Sequence, residues 1–304
     1  MQTFLPVPDF ADGARLLDSP RLGKQRVETL QILRALELPD YGWANHPAVL
    51  MWRGRTPALV AYGLAAVRAW QERGFADSTS AQIAEFAPEV VGASQAELAE
   101  AGVLPSWVGD EALHRSHRSN LIAKDAAFYR PRFAELFGPE PDDLPYVWPG
   151  PDDLPPVPAP QGERVWVVRP ASHAELGACL SSGVVGLGTR SGIDVDATGL
   201  TPAELRALAW ELSGRRPAKN LRQLSAFLDE VAPGDRVVMP IEGGAVLLLG
   251  EIAGDYVFAG REVVPHRRAV RWRGVIPRSA ARPPSSLQDP RALFAVTLDP
   301  AALG

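Results

Sequence analysis

Apolar residues recur at helical spacing through the first half of the chain and at strand spacing through the second. In 20–37 (PRLGKQRVETLQILRALE), Leu22, Leu30, Leu33 and Leu36 fall near one face of a helix, and Pro20 suits its first turn. A second helix is predicted over 57–73 (PALVAYGLAAVRAWQER), closed by Gly74. A third is expected across 111–122 and a short one near 125–137. The first half is therefore mostly α.

Beyond residue 160 the period shortens. VWVVR (165–169), VVGLG (184–188), DRVVMP (235–240), AVLLLGEI (245–252) and FAVTL (294–298) predict strands. Two helices interrupt them. One, at 202–213, is opened by a Thr201–Glu204 capping box with Pro202 in the first turn; the other spans about 217–231 and stops before Pro233-Gly234. Many short strands with few helices predict an α+β domain on a strongly curved sheet or small barrel. Between the halves lies PEPDDLPYVWPGPDDLPPVPAP (139–160), where proline fixes φ and removes backbone donors, so an extended, semi-rigid linker is expected. The organisation read from the sequence is multidomain: a mostly α domain at 1–138, a linker at 139–163 and an α+β domain at 164–304.

Composition narrows the class. At 304 residues the chain can bury two cores without staples, and its single cysteine, Cys179, excludes a disulfide scaffold and a cysteine-only metal cluster. Cysteine usage fits a reducing cytoplasm. MQTFLPVPDF has no basic start, long apolar run or cleavage site, and AVLLLG at 245–250 is too short to span a membrane. A soluble, cytoplasmic protein is expected.

The net charge of −5 changes that picture once it is divided. Residues 1–148 carry 14 Lys+Arg against 19 Asp+Glu, and 149–304 carry 17 against 17. Within the halves, basic residues cluster. Segment 114–132 holds Arg115, Arg118, Lys124, Arg130, Arg132 and two histidines against one acid, and 266–282 holds six arginines and no acid. Screening confines remote charge to about 8–10 Å, so such clusters can anchor phosphates on an acidic protein or serve only as solvated faces.

Arg21, Lys24, Gln25 and Glu28 fall on adjoining parts of one helical surface. Glu28 is the candidate acid or base, although a Lys24–Glu28 pair at i, i+4 reads first as a surface ion pair. His46, His114 and His117 raise the question of a metal, but no Cys or HExxH accompanies them, and no metal or cofactor is expected. Contact with phosphate or base, or a structural role, is the reading for these rings. Trp43, Trp52 and Trp107 are expected in the core or at a groove edge.

MQTFLP, RLGKQRVETLQIL, His46-Pro47-Ala48, the segment Glu72-Arg73-Gly74-Phe75 and LHRSHRSNLIAKDAAFYRPRF together resemble the pyrimidine-dimer DNA glycosylases of the phage endonuclease V type, over roughly residues 1–148. The resemblance implies a compact helical enzyme that excises a damaged base with an N-terminal α-amine, aided by one glutamate, here Glu28. Arg21, Gln25, Arg26, His46, His114, Arg115, His117 and Arg118 are then expected at the DNA. An α-amine, with an ordinary pKa of about 7.7–8.0, keeps a neutral fraction that can attack C1′, and a neighbouring carboxylate can stabilise the cationic sugar and shuttle protons. Family members expose Thr after Met removal, whereas Gln2 here predicts retention of Met1. Three nucleophiles stay open: the Met1 amine, Lys24, or water activated by Glu28.

Trp166-Val167-Val168-Arg169, VVGLG, Asn220, Gln223 and GEIAGDYVF followed by HRRAVRW resemble PUA/EVE-like domains, over about 164–300. That resemblance implies a reader of modified or flipped bases: Trp166, Phe227, Tyr256 and Trp272 as walls, Arg169, Asn220 and Gln223 as polar groups, and Arg267, Arg268, Arg271 and Arg273 as a rim. Related domains often carry a tryptophan where this chain has Thr189. By its strand position alone, Trp166 reads as core.

Together these features predict a DNA glycosylase, with or without AP lyase activity, joined to a unit that recognises modified DNA, in repair or in defence against foreign DNA. The rival is a non-catalytic sensor of modified DNA or, less favoured, RNA. No membrane partner is expected.

Overall fold

The structure is a computed structural model that describes residues 1–39, 41–150, 152, 161–188, 191–213 and 220–303, with the side chains of Ser213 and Asn220 outside the description. The chain divides into two compact units, Met1–Ala159 and Pro160–Gly304. The first is helical: α1 (Phe10–Leu16), α2 (Ser19–Glu37), α3 (Pro47–Leu50), α4 (Thr56–Glu72), α5 (Ser80–Ala84), α6 (Gln95–Glu100), α7 (Glu111–Lys124) and α8 (Ala126–Phe137). The predicted helices are α2, α4, α7 and α8, and α1, α3, α5 and α6 are additional.

Helix α2 starts where the Asp18 carboxylate accepts the Arg21 N–H at 2.9 Å, with Pro20 in the first turn. Its buried face includes Leu22, Leu30, Ile32 and Leu33, as the periodicity requires, but also the polar Gln25 and Thr29. Against that face packs α4, and the approach is close: a Cβ on Gly63 would lie 2.6 Å from Thr29 Cγ2. Trp52 and Trp107 meet edge to face in the core at 4.9 Å, whereas Trp43, in a left-handed turn at φ 75°, is 64% exposed.

Residues 139–150 form no helix or strand, but they pack where an extended, semi-rigid linker was expected. They dock on α7: Leu144 N–H donates to Ser119 Oγ (3.0 Å), Val147 N–H donates to Ser116 Oγ (3.1 Å), and Asn120 Nδ2 donates to Leu144 O (2.9 Å). Proline had suppressed the sequence signal for packing, but side-chain hydroxyls on α7 supply the partners that a sheet or helix would otherwise give.

The second unit is α+β. Its elements are β1 (Glu163–Val168), α9 (His173–Ser182), β2 (Val184–Leu187), α10 (Pro202–Ser213), α11 (Asn220–Asp229), β3 (Arg236–Ile241), β4 (Val246–Phe258), β5 (His266–Pro277) and β6 (Leu293–Leu298). They form a six-stranded mixed sheet in the order β2-β5-β4-β3-β1-β6. Only β1 and β3 run parallel. Strands β4 and β5 change register at Leu249/Gly250 and again between Ile252 and Tyr256, which bends the long ribbon. The capping box forms as predicted, with Thr201 N–H donating to Glu204 Oε2 (2.8 Å) and Glu204 N–H to Thr201 Oγ1 (3.3 Å). Helix α9 and strand β5 had no assignment in the sequence. Among the described residues no helix is long and apolar enough to cross a membrane.

Candidate active site

The N-terminal segment runs extended through the first unit, and side chains satisfy its backbone groups. Gln2 N–H donates to Glu28 Oε2 at 3.0 Å, and Phe4 N–H to Gln25 Oε1 at 2.8 Å. The Tyr62 hydroxyl donates to Phe4 O (2.9 Å), and Trp52 Nε1 donates to Thr3 Oγ1 (3.0 Å). Leu5 sits between two histidines of α7. Its N–H donates to His117 Nδ1 (2.9 Å), and its carbonyl lies 2.8 Å from His114 Nδ1. Arg118 Nη1 donates to Pro6 O (2.9 Å).

This arrangement fixes the tautomers. His114 Nε2 accepts the Gly109 N–H at 3.1 Å, so its proton is on Nδ1 and is donated to Leu5 O. His117 Nδ1 accepts, so its proton is on Nε2, a buried atom with no partner among the described residues. Burial drives the His117 pKa down to about 3 and lowers that of His114, keeping both rings neutral.

The clamp brings Met1, half-buried, beside the half-buried Glu28 carboxylate through the adjoining Gln2 peptide. His46 shares the neighbourhood. Burial lowers its pKa, the Met1 amine lowers it further, and Glu28 raises it, so the ring feels both charges. An aromatic run closes the group: His117 to Tyr146 (5.7 Å), Tyr146 to Trp148 (5.3 Å), Trp148 to His46 (6.3 Å) and His46 to Trp43 (5.8 Å). Tyr146 belongs to the same neighbourhood: burial raises its phenol, and the Glu28 charge raises it further.

Several residues expected at the DNA are elsewhere. His114, His117 and Gln25 are completely buried and Arg118 nearly so, because they satisfy the N-terminal backbone. Arg118 also pairs with Glu140 and Glu111. Arg21 bonds Asp18 (2.7 Å) and Lys124 O (3.0 Å). Arg26 pairs with Asp77 beneath its cation–π contact with Trp70, and Arg115 bonds Glu140. The expected Lys24–Glu28 ion pair does not form: among the described residues neither side chain takes part in an ion pair, and Lys24 is exposed. With both α7 histidines committed to Leu5, they are not free as ligands. Among the described residues no three His, Cys, Asp or Glu side chains are grouped to hold a metal ion. Sequence reasoning missed Tyr62, Tyr146 and Trp148. Tyr62 was hidden in an apolar helix, the other two in the proline-rich stretch.

In the second unit the expected wall residues Trp166, Phe227, Tyr256 and Trp272 meet in one hydrophobic core. Trp166 is core, with Nε1 donating to Asp235 Oδ2 at 3.2 Å. Arg169 is committed to the carbonyls of Leu287 (2.9 Å), Asp289 and Arg291 (3.1 Å). Gln223 Oε1 accepts from Ala292 N–H (2.7 Å) and Leu293 N–H (3.0 Å), anchoring α11 to the approach of β6. Trp272 is half-buried and packs on the core, while the Asn220 side chain and Thr189 lie outside the described residues. Tyr256 and Arg268 border an open cleft of about 490 Å³ with Asp229, Asp255 and the 197–202 loop. The Tyr256 hydroxyl is bonded to His266 Nδ1 (2.8 Å). Arg268 is held by Phe227 O (3.2 Å) and Leu228 O (3.1 Å). In the proposed rim, Arg273 pairs with Glu251 and Arg267 with Glu262. A groove of about 600 Å³ in the first unit, lined by Val7, Pro8, Leu136 and Phe137, includes none of Met1, Glu28 and His46.

Residues 1–83 match the family model of the pyrimidine dimer DNA glycosylases. The matched stretch contains Met1, Lys24, Glu28, His46 and Tyr62, whereas the α7 clamp and the Tyr146–Trp148 segment lie beyond it. Residues 171–289 match a family described as a domain of unknown function (DUF8426). A comparison with curated proteins finds no match.

Proposed function

We propose that the chain is a DNA glycosylase that excises a damaged pyrimidine at the site formed by Met1 and Glu28. The reading rests on one observation above all: the Gln2 peptide N–H bonded to Glu28 Oε2 at 3.0 Å, which sets the first amine of the chain beside a carboxylate. The match of residues 1–83 to pyrimidine dimer DNA glycosylases supports it. The amine of Met1 attacks C1′ as the base departs, Glu28 takes the proton that the amine loses, and the carboxylate balances positive charge on the sugar. Ring opening and β-elimination from the resulting imine would give AP lyase activity at the same atoms. The target nucleotide must leave the stack to reach this site, and the exposed Trp43 and half-exposed Trp148 stand beside it.

Lys24 is the less favoured nucleophile because it has no contact with Glu28. The C-terminal unit is assigned to recognition of modified DNA, with the Tyr256–Arg268 cleft supporting that part of the reading rather than the pocket expected from sequence. The test is incubation of the full chain with ultraviolet-irradiated duplex, followed by borohydride trapping and by a count of alkali-labile sites, which reads release of the base from its sugar even where a dimer keeps that base joined to its neighbour. Release with a trapped adduct supports the amine route, and release without one assigns the attack to water. No release from a folded protein that still binds duplex leaves the non-catalytic sensor.

A further inference from the structure

We propose that His46 is a further catalytic residue, whose Nε2–H donates a hydrogen bond to the O2 oxygen of the departing pyrimidine. This assignment rests on the glycosylase reading and holds whichever nucleophile attacks. His46 caps α3: its Nδ1 accepts the Ala48 N–H at 3.1 Å. That bond commits Nδ1 as an acceptor, so the neutral ring carries its proton on Nε2. Among the described residues no hydrogen bond to Nε2 is found, and the ring is half-buried and therefore reachable. It stands between the rings of Trp43 at 5.8 Å and Trp148 at 6.3 Å. Tyr146, 5.3 Å from Trp148, feels the Glu28 charge as His46 does, which places the group and the carboxylate in one neighbourhood. The charged groups that act on the ring are the Met1 amine and Glu28, and its lowered pKa keeps it uncharged near pH 7.

The chemistry of the step calls for such a donor. As the nucleophile bonds to C1′, the C1′–N1 bond breaks and its electron pair passes into the base, where N1 and O2 share the negative charge. The nucleophile gives its proton to Glu28, and that proton is the one the released base finally carries, so the step balances without a co-reactant. A neutral imidazole placed at the oxygen where charge develops stabilises it without the cost of bringing in a second cation beside the amine.

The test uses the full chain and His46→Asn, since the asparagine oxygen can still cap Ala48 while the Nε2–H is lost. Two reactions are compared: base release from irradiated duplex, and borohydride trapping on duplex carrying a preformed abasic site, where no base has to leave. Release is expected to fall about 100-fold while trapping stays at the wild-type level. If the wild type works through water and does not trap, affinity for irradiated duplex takes the place of trapping and is expected to be unchanged. Undiminished release, or release and the second readout falling by the same factor, overturns the assignment. His46→Gln and a thermal melt of each variant separate a chemical defect from misfolding. A wild-type protein that neither releases base nor traps overturns the glycosylase reading itself, a result distinct from failure of the His46 assignment.

Discussion

Leu5 shows what decides the role of a polar residue in this protein. Its N–H and C=O are buried, and an unpaired backbone group in the interior costs about 1–3 kcal/mol, so two imidazoles of α7 are used to pair them. In the sequence His114, His117 and Arg118 read as a basic cluster, and for the histidines contact with DNA and a structural role stood side by side. Histidine spacing on a helix is the same whether the rings meet phosphate or a buried strand, so the distinction was not legible. His117→Leu, which leaves the Leu5 N–H without an acceptor, is expected to destabilise the first unit by about 1–3 kcal/mol in denaturant titration. An unaltered midpoint would remove the clamp from the account. Glu28 was singled out in the sequence because its place and the surrounding residues resemble a known pattern, and its part in the chemistry is the proposal to be tested. Glu28→Gln is expected to lower base release by about 10²–10⁴-fold while affinity for duplex, read by fluorescence anisotropy, is retained. Release at the wild-type rate would favour the sensor.

At the scale of elements, periodic apolar residues announced α2, α4, α7 and α8 because each buries apolar side chains on one face, aliphatic ones in α2, α4 and α7 and the rings of Tyr129 and Phe133 in α8. Strand β5 escaped notice for the opposite reason. Its inward positions include His266, Arg268 and the half-buried Trp272, so an alternating strand reads as a run of arginines. The guanidinium of Arg268 can be buried there because carbonyls at the end of α11 accept its protons. The α2–α4 contact that presents Glu28 depends on the bare Cα of Gly63. Gly63→Ala forces a methyl against Thr29 Cγ2 and is expected to cost about 1–3 kcal/mol in the unfolding of the first unit. The measurement is thermal or urea unfolding beside Ala61→Gly, a change at a nearby position of the same helix. Equal stability of Gly63→Ala and wild type would show that the helices have room to separate.

For the molecule as a whole, the buried neutral histidines set a pH dependence whose sign is fixed. His117 holds its proton less tightly in the folded chain, at a pKa of about 3, than in the unfolded chain at about 6.5. The unfolded state therefore binds the extra proton between those values. Stability is complete above about pH 6.5 and is lost as pH falls toward 3, by about 2 kcal/mol at pH 5 from His117 alone. His114, lowered for the same reason, adds to the loss. Urea unfolding of the first unit at pH 7 and pH 5 is expected to show this drop, with a smaller one in His117→Gln; equal slopes in the two proteins would contradict it. Taken alone, the sequence determined the helical first half and the strand-rich second half and singled out Glu28 as a candidate, because those features rest on local periodicity and on residue order. Only the tertiary structure decided that basic residues face inward to hold the N-terminal segment, that part of a proline-rich stretch packs on α7, and that Trp166, Phe227, Tyr256 and Trp272 meet in one hydrophobic core. Those outcomes depend on which backbone groups lose water in the folded chain, and that is a property of contacts between distant residues.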